Sequence, residues 1–447
     1  MHITTRLTLS ALVVLLGARP LPVVAQAGVD STTASLDAFT AEVLERSPAL
    51  HAADHRVAAS RATAAATGAP PDPQLRLGVA NLPVASPGVA DMMTMKEIGI
   101  AQRLPFPGKL SLAREAADRA VGVAAAGRDG VVARLIRETR EAWYELALID
   151  ARLDILTARR DALRAMSRTV EARYESGDGS QAAVWRSRAE LSRLVERAAD
   201  LAEHRRGVVA RLNALRQRPA GGPIDSAPMP PRILAAALPS PELLRFAGDS
   251  LGAALVDDGI PTPDVLLAWA LDSNPMIRGH VARIGGQDAR VALAARAGRP
   301  DVEVMVMYGQ RNDRSDFVSA GVAIPLAIRS GRVQRQLHEA EELELEAEHA
   351  EHQQMVADIA AKLAALRAAA VAQRTRLAVL GHHVLPQGRA ALASALAGHR
   401  AGTVPFIEVI EAVTTLHDDE ERHAEALASY ATSIAAIEAL VGREILP

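Results

Sequence analysis

The chain has 447 residues and a net charge of −3, so it carries no basic footprint for nucleic acid. Hydrophobic residues make up 49% but aromatics only 3%, and alanine dominates the apolar set, which is the composition of long helices and coiled coils. With no cysteine, disulfides, thiolate metal sites, a cysteine nucleophile and an acylated lipoprotein cysteine are all excluded.

The first 27 residues read as a signal segment. Arg6 supplies the positive region, "LTLSALVVLL" (Leu7 to Leu16) the apolar region, and "AQA" (Ala25 to Ala27) a small-residue cleavage site. The apolar run falls short of the roughly 20 residues of a spanning helix, so the expectation is export, cleavage after Ala27 and no inner-membrane anchor.

From residue 28 to 217 runs a first repeat. "VLERSPAL" places a Ser-Pro stop between two helical segments. "LRLGVA" and "EIGIAQRL" then alternate apolar with small or polar residues, as half-exposed strands do. Next comes a pattern with helical period from Lys109 to Glu175, about 100 Å at 1.5 Å per residue. Leu135, Ala142, Ile149, Leu156, Leu163 and Val170 recur every seven residues, with Leu146, Leu153 and Tyr174 four positions past three of them. A sustained seven-residue repeat holds one seam against a partner helix. The pattern breaks at "RYESGDGSQAAVWRS" (Arg173 to Ser187) and resumes as a second helix.

Residues 218 to 263, rich in Pro and Gly, match nothing in the repeat and read as a linker. Residues 264 to 447 then repeat the plan. "ALDSNPMI" answers the Ser-Pro stop; "VEVMVMY" and "FVSAGVAI" answer the strands. Val356, Leu363, Ala370, Leu377, Val384 and Ala391 answer the heptads, with Ile359, Leu366 and Leu380 beside them. The break "HRAGTVPFIEVIEA" (His399 to Ala412) sets Gly402 over Gly177 of the first repeat. Each half thus reads helix, strand, strand, long helix, break, helix. The four strands have the length and dyad pattern of membrane-barrel strands. Four cannot close a barrel, and lipid tolerates no open sheet edge, so a membrane role requires oligomers.

The tandem repeat, "QRLPFPGKL" after the first hairpin, "VLPQGRAALASALAGHRAGTVPFIEVIEA" and the closing "TTLHDDEERHAEALASYATSIAAIEALVG" resemble TolC-type outer-membrane efflux proteins. Within that family they resemble the heavy-metal branch that works with resistance-nodulation-division pumps. The resemblance implies a mainly α fold with β: long coiled-coil hairpins and four short strands per chain. A homotrimer would build a twelve-strand barrel in outer-membrane lipid on a twelve-helix periplasmic tunnel. It implies an inner-membrane resistance-nodulation-division pump and a periplasmic adaptor (membrane fusion protein) as partners, the outer membrane of a Gram-negative bacterium as location, and heavy-metal cations as cargo. It places Gly177 and Gly402 at hairpin tips, with Tyr174, His399 and Arg186 around them facing the adaptor. It also places Glu408 and Glu411 as acidic rings in the pore constriction, although their position at a helix start equally fits a solvated face. The positions that form the family's polar latch hold His399, Val404 and Ala183 here, so a carboxylate–arginine latch is absent. Arg186 aligns with Glu411 across the repeats as a possible partner.

Other chemistry is sparse. Met92, Met93, Met95, Met305 and Met307 carry thioethers suited to soft Cu(I) or Ag(I), though a hairpin loop and an alternating strand explain them without metal. His349 with His352, and His417 with His423, sit among acids and read as solvated helix faces. No nucleophile elbow, phosphate loop or dinucleotide fingerprint occurs, so neither enzymatic activity nor a cofactor is expected. The rival readings are a drug or protein export duct of the same fold, a soluble periplasmic coiled-coil adaptor or scaffold, and a metal-binding periplasmic protein.

Overall fold

The computed structural model describes residues 35–84, 91–177, 179–246, 253–255, 258–325 and 330–446; the expected signal segment 1–27 lies outside them. The first repeat runs α1 (Leu36–Arg46), α2 (Pro48–Thr67), β1 (Gln74–Ala80), β2 (Met95–Leu104), α3 (Lys109–Glu175) and α4 (Gln181–Leu215). After α5 (Pro231–Ala237), β3 (Leu244–Phe246) and β4 (Ala253–Leu255), the second repeat runs α6 (Pro263–Ser273), α7 (Pro275–Ala297), β5 (Val302–Arg311), β6 (Phe317–Ala323), α8 (Ser330–Val379), α9 (Leu385–Arg400) and α10 (Phe406–Val441). The α3 helix is one unbroken element of 67 residues.

Both X-Pro stops act as caps. Ser47 Oγ accepts from Leu50 N at 3.3 Å with Pro48 opening α2. Asn274 Oδ1 accepts from Met276 N and Ile277 N at 2.8 and 3.2 Å with Pro275 opening α7. Proline suits the first helical position because its missing N–H would be unpaired there anyway.

The seven-residue seam of the first repeat is buried along its whole length, from Leu135 to Val170; Tyr174, expected to continue it, is exposed because α3 ends one residue later. The second seam is buried at Leu363, Ala370 and Leu377 and then leaves the expected phase. A π-helical turn, Leu380–Val384, joins α8 to α9. One extra residue per turn rotates everything after it by about 100°. Leu385 is therefore buried where Val384 was expected, and Leu392 is half-buried where Ala391, which is exposed, was expected.

The segment 218–263 is no bare linker. Ile224, Ala227, Ile233 and Ile260 are buried in the main core. Trp143 Nε1 donates to Pro228 O at 2.9 Å, and Arg374 Nε to Ala236 O at 2.7 Å. Arg232, in α5, meets the carboxylate of Glu438 in α10 at 2.9 and 3.1 Å, and Arg140 of α3 meets it at 2.6 Å. Burial pulls the Arg232 pKa down, but its bonds and charge contact with Glu438 outweigh that and raise it.

Among the described residues α10 alone is apolar and long enough to cross a membrane, but Tyr430, Ile434, Ile437 and Val441 bury it in the main core.

The four longer strands form one antiparallel sheet in the order β1-β2-β5-β6. The middle strands have ten residues and the outer ones seven, each outer strand having a partner on one side only among the described residues. Register puts Leu75, Ile100, Val306 and Ala320 in one row and Leu77, Ile98, Tyr308 and Val318 in the next, all on one face. That face is exposed: Leu77 is 71% accessible, Val318 73% and Val306 55%. On the other face Arg76 reaches the Glu303 carboxylate across β2. There Gly99 has no room for a side chain, since a Cβ would lie 2.6 Å from Met307 Cγ.

Candidate functional site

At the far end of the long hairpins the chain reverses twice. The α3–α4 turn uses Gly177 at φ +84° and the α9–α10 turn Gly402 at φ +78°, a region glycine enters without a steric penalty. At the second turn Gly402 N donates to His399 O at 3.1 Å and Thr403 N to Gly398 O at 2.9 Å, the paired bonds of a Schellman cap. At the first, Gly177 N donates to Tyr174 O at 3.1 Å. Gly179, which sequence reasoning passed over, is equally constrained: a Cβ there would lie 2.5 Å from Tyr174 N.

His399 is not a free surface residue. Its Nδ1 lies 3.0 Å from Val404 O, and its ring packs 6.0 Å from that of Phe406. It therefore fixes the second turn with Nδ1 as donor. Phe406 in turn packs on a small separate cluster of Leu156, Leu163, Leu194 and Ile410. The two turns lie side by side, since Ser180 and Arg186 from one and His399, Thr403 and Phe406 from the other line a common cleft.

Glu408 and Glu411 open α10, three residues apart and both exposed. Residues at that spacing share a helix face. Neither carboxylate makes a hydrogen bond or ion pair with a described residue. Arg186 lines the same cleft as Glu411 without an ion pair to it. Just above, the helices are tied by charge: Arg159 of α3 reaches Thr414 at 3.1 Å and Asp418 at 3.4 Å, and Arg197 of α4 meets Glu421. Tyr174 and Trp185 stand exposed beside the first turn, 45% and 61% accessible, in a chain with only three tryptophans and four tyrosines.

The methionines are not gathered. Met305 pairs with Ala101 and Met307 with Gly99, whereas Met95 pairs with Arg311, four residues or about 13 Å along the strand from Met307. Met92 and Met93 are exposed in the turn before β2.

Three of the four histidines correct the expectation of solvated faces, while His349 is exposed as expected. His417 is buried with Nδ1 2.6 Å from Val413 O. His423 is partly buried, and burial, with Arg389 adding to it, lowers its pKa. His352 packs against His280 of α7, a residue the sequence did not single out.

Residues 40–217 match the family model described as Outer membrane efflux protein. None of the curated proteins matches. Among solved structures, the outer-membrane channel OprN superposes with a TM-score of 0.72 at 19% identity, covering 92% of this chain and 91% of that one. The outer membrane protein VceC from Vibrio cholerae gives 0.72 at 18%, covering 92% and 96%. CusC, described in connection with transmembrane channel formation, gives 0.72 at 15%, covering 92% and 93%. Equal scores at such identities give the fold and single out no branch. The chain thus carries an outer membrane efflux protein family match over its first repeat and the fold of the outer-membrane channels over nearly all its length.

Proposed function

We propose that this chain is one protomer of a homotrimeric exit duct in the outer membrane of a Gram-negative bacterium. It conducts cargo passively from an inner-membrane resistance-nodulation-division pump and a periplasmic adaptor to the outside, and it catalyses no reaction. The observation that carries the reading is the open sheet: an exposed apolar face with both outer strands unpaired on one side. In an all-antiparallel order β1-β2-β5-β6 the outer strands run oppositely. β6 of one protomer can therefore pair antiparallel with β1 of the next, and three chains close a twelve-strand barrel with no edge left in lipid. The signal segment 1–27 supplies the export route.

The paired hairpins would form the periplasmic tunnel. Exposed Tyr174 and Trp185, with Arg186 beside them, give the tip aromatic and arginine anchors of the kind interfaces favour, and these supply the adaptor contact. Three-fold symmetry turns Glu408 and Glu411 into two stacked rings of three carboxylates, which concentrate cations at a constriction. Heavy-metal cations are the cargo this charge suits, and the resemblance of the closing segments to the metal branch points the same way.

The experiment is single-channel recording in planar bilayers. The duct is expected to be cation-selective and blocked by divalent ions. Changing Glu408→Gln and Glu411→Gln together lowers selectivity and weakens the block several-fold. Unchanged selectivity and block would remove these carboxylates from the pore, and an absence of channels would remove the duct.

A further inference from the structure

Helices α7 and α8 pack antiparallel, as two polar links show: His280 lies against Glu348 and Glu351, while Gln287 further along α7 bonds Glu341 further back on α8. The first link is more than a helix contact. His280 is buried, its side chain only 3% accessible, and its Nε2 stands 3.5 Å from Glu348 Oε2 and 3.6 Å from Glu351 Oε2. One donor atom from each of the three lies within 4.8 Å of the other two. Glu348 Oε2 and His352 Nδ1 are buried without a hydrogen-bond partner, a condition that costs free energy unless something satisfies it; His280 Nδ1 is unpartnered too, but it points away from the carboxylates that Nε2 faces. His352 stands just outside that group of three, its ring centroid 5.8 Å from that of His280, and a turn of its side chain would bring it in as a fourth ligand.

From this geometry we infer that His280, Glu348, Glu351 and His352 form a binding site for one divalent transition-metal ion, of the zinc type, between α7 and α8. With bonds of about 2.0–2.1 Å, neighbouring ligand atoms around tetrahedral zinc lie about 3.3–3.4 Å apart; the observed 3.5 and 3.6 Å need little closing. Two imidazoles on one such ion have ring centroids roughly 5–6 Å apart by the same bond lengths. Glu348, Glu351 and His352 fall at i, i+3 and i+4 on α8 and so share one face. His349, between them in sequence, is exposed and points elsewhere. Two nitrogens and two carboxylates suit borderline ions such as zinc over calcium, magnesium or Cu(I). Arg283 lies 3.8 Å from Glu348 Oε2, and its half-exposed side chain can turn to solvent when the ion enters. The metal would pin α7 to α8 in the half of the chain nearer the sheet, far from the acidic pair at the tips. The alternative is a plain contact between His280 and two glutamates, which takes up no zinc.

The site does not depend on the duct reading, since conductance does not enter its test. Untagged full-length mature protein, stripped with a chelator, is titrated with zinc against a chromophoric competitor, and the zinc-loaded protein is examined by X-ray absorption. The expectation is one zinc per chain, two imidazoles in the scattering pattern and oxygen for the rest. His280→Asn and Glu348→Gln weaken binding by at least about tenfold, given that removing even a partner outside the ligand set costs about 10–100-fold; His349→Asn leaves it unchanged. No saturable uptake, a pattern without imidazole, or equal affinity in His280→Asn overturns the site. Should a variant misfold, the absorption spectrum of the unaltered protein decides alone.

Discussion

Replacing Glu438 by Ala is expected to destabilise the chain by about 3–5 kcal/mol, the cost of removing one partner from a buried ion pair. The Glu438 side chain is 3% accessible, and it holds Arg140 of α3 and Arg232 of the segment before α6 at once. It also accepts from Ile445 N at 3.2 Å. Without it two guanidiniums face each other with little water between them. Their remaining acidic neighbour, Glu444, is 60% accessible and cannot take the place of Glu438. Denaturant unfolding followed by circular dichroism is the readout, with Glu444→Ala as comparison at under about 1 kcal/mol, as for exposed pairs. Equal losses in the two variants would show that the buried carboxylate is not the fastening between α3, α5 and α10.

A second large effect is expected at the sheet. Val306 lies mid-strand on the exposed apolar face between Ile100 and Ala320. Arginine at the midplane of a barrel's lipid face costs about 2–4 kcal/mol, and a trimer would carry it three times. Val306→Arg should therefore abolish or sharply reduce trimers in the outer membrane. Ser319, opposite Met307 on the other face, would point into a wet lumen, so Ser319→Arg should assemble normally. The readout is the yield of heat-sensitive trimers in membrane fractions. Equal tolerance at both positions would mean that neither face meets lipid.

The sequence made the long elements legible because their signals are periodic and local. The heptads of α3 and the Ser-Pro and Asn-Pro stops act through the helix they sit in, and the structure returns each where the pattern placed it. The second seam was legible only to Leu377, because a single π turn changes phase without changing composition. Residues 218–263 looked like a linker because Pro and Gly mask five buried core residues, Ile224, Ala227, Ile233, Ala237 and Ile260, set too far apart to show a period. At the tips the glycine signal gave Gly177 and Gly402. Gly179 is needed for close approach to the α3 backbone, and no spacing rule reveals such an approach. His280 escaped notice for a related reason: alone on α7 it has no neighbouring ligand in sequence, and its partners come from α8, about 70 residues on.

A duct of this kind exists only if three open sheets close one barrel. Membrane fractionation followed by native sizing in detergent tests this most directly. The protein should be found in the outer membrane as a trimer that runs as monomer only after heating. Recovery as a soluble monomer from the periplasm would contradict it.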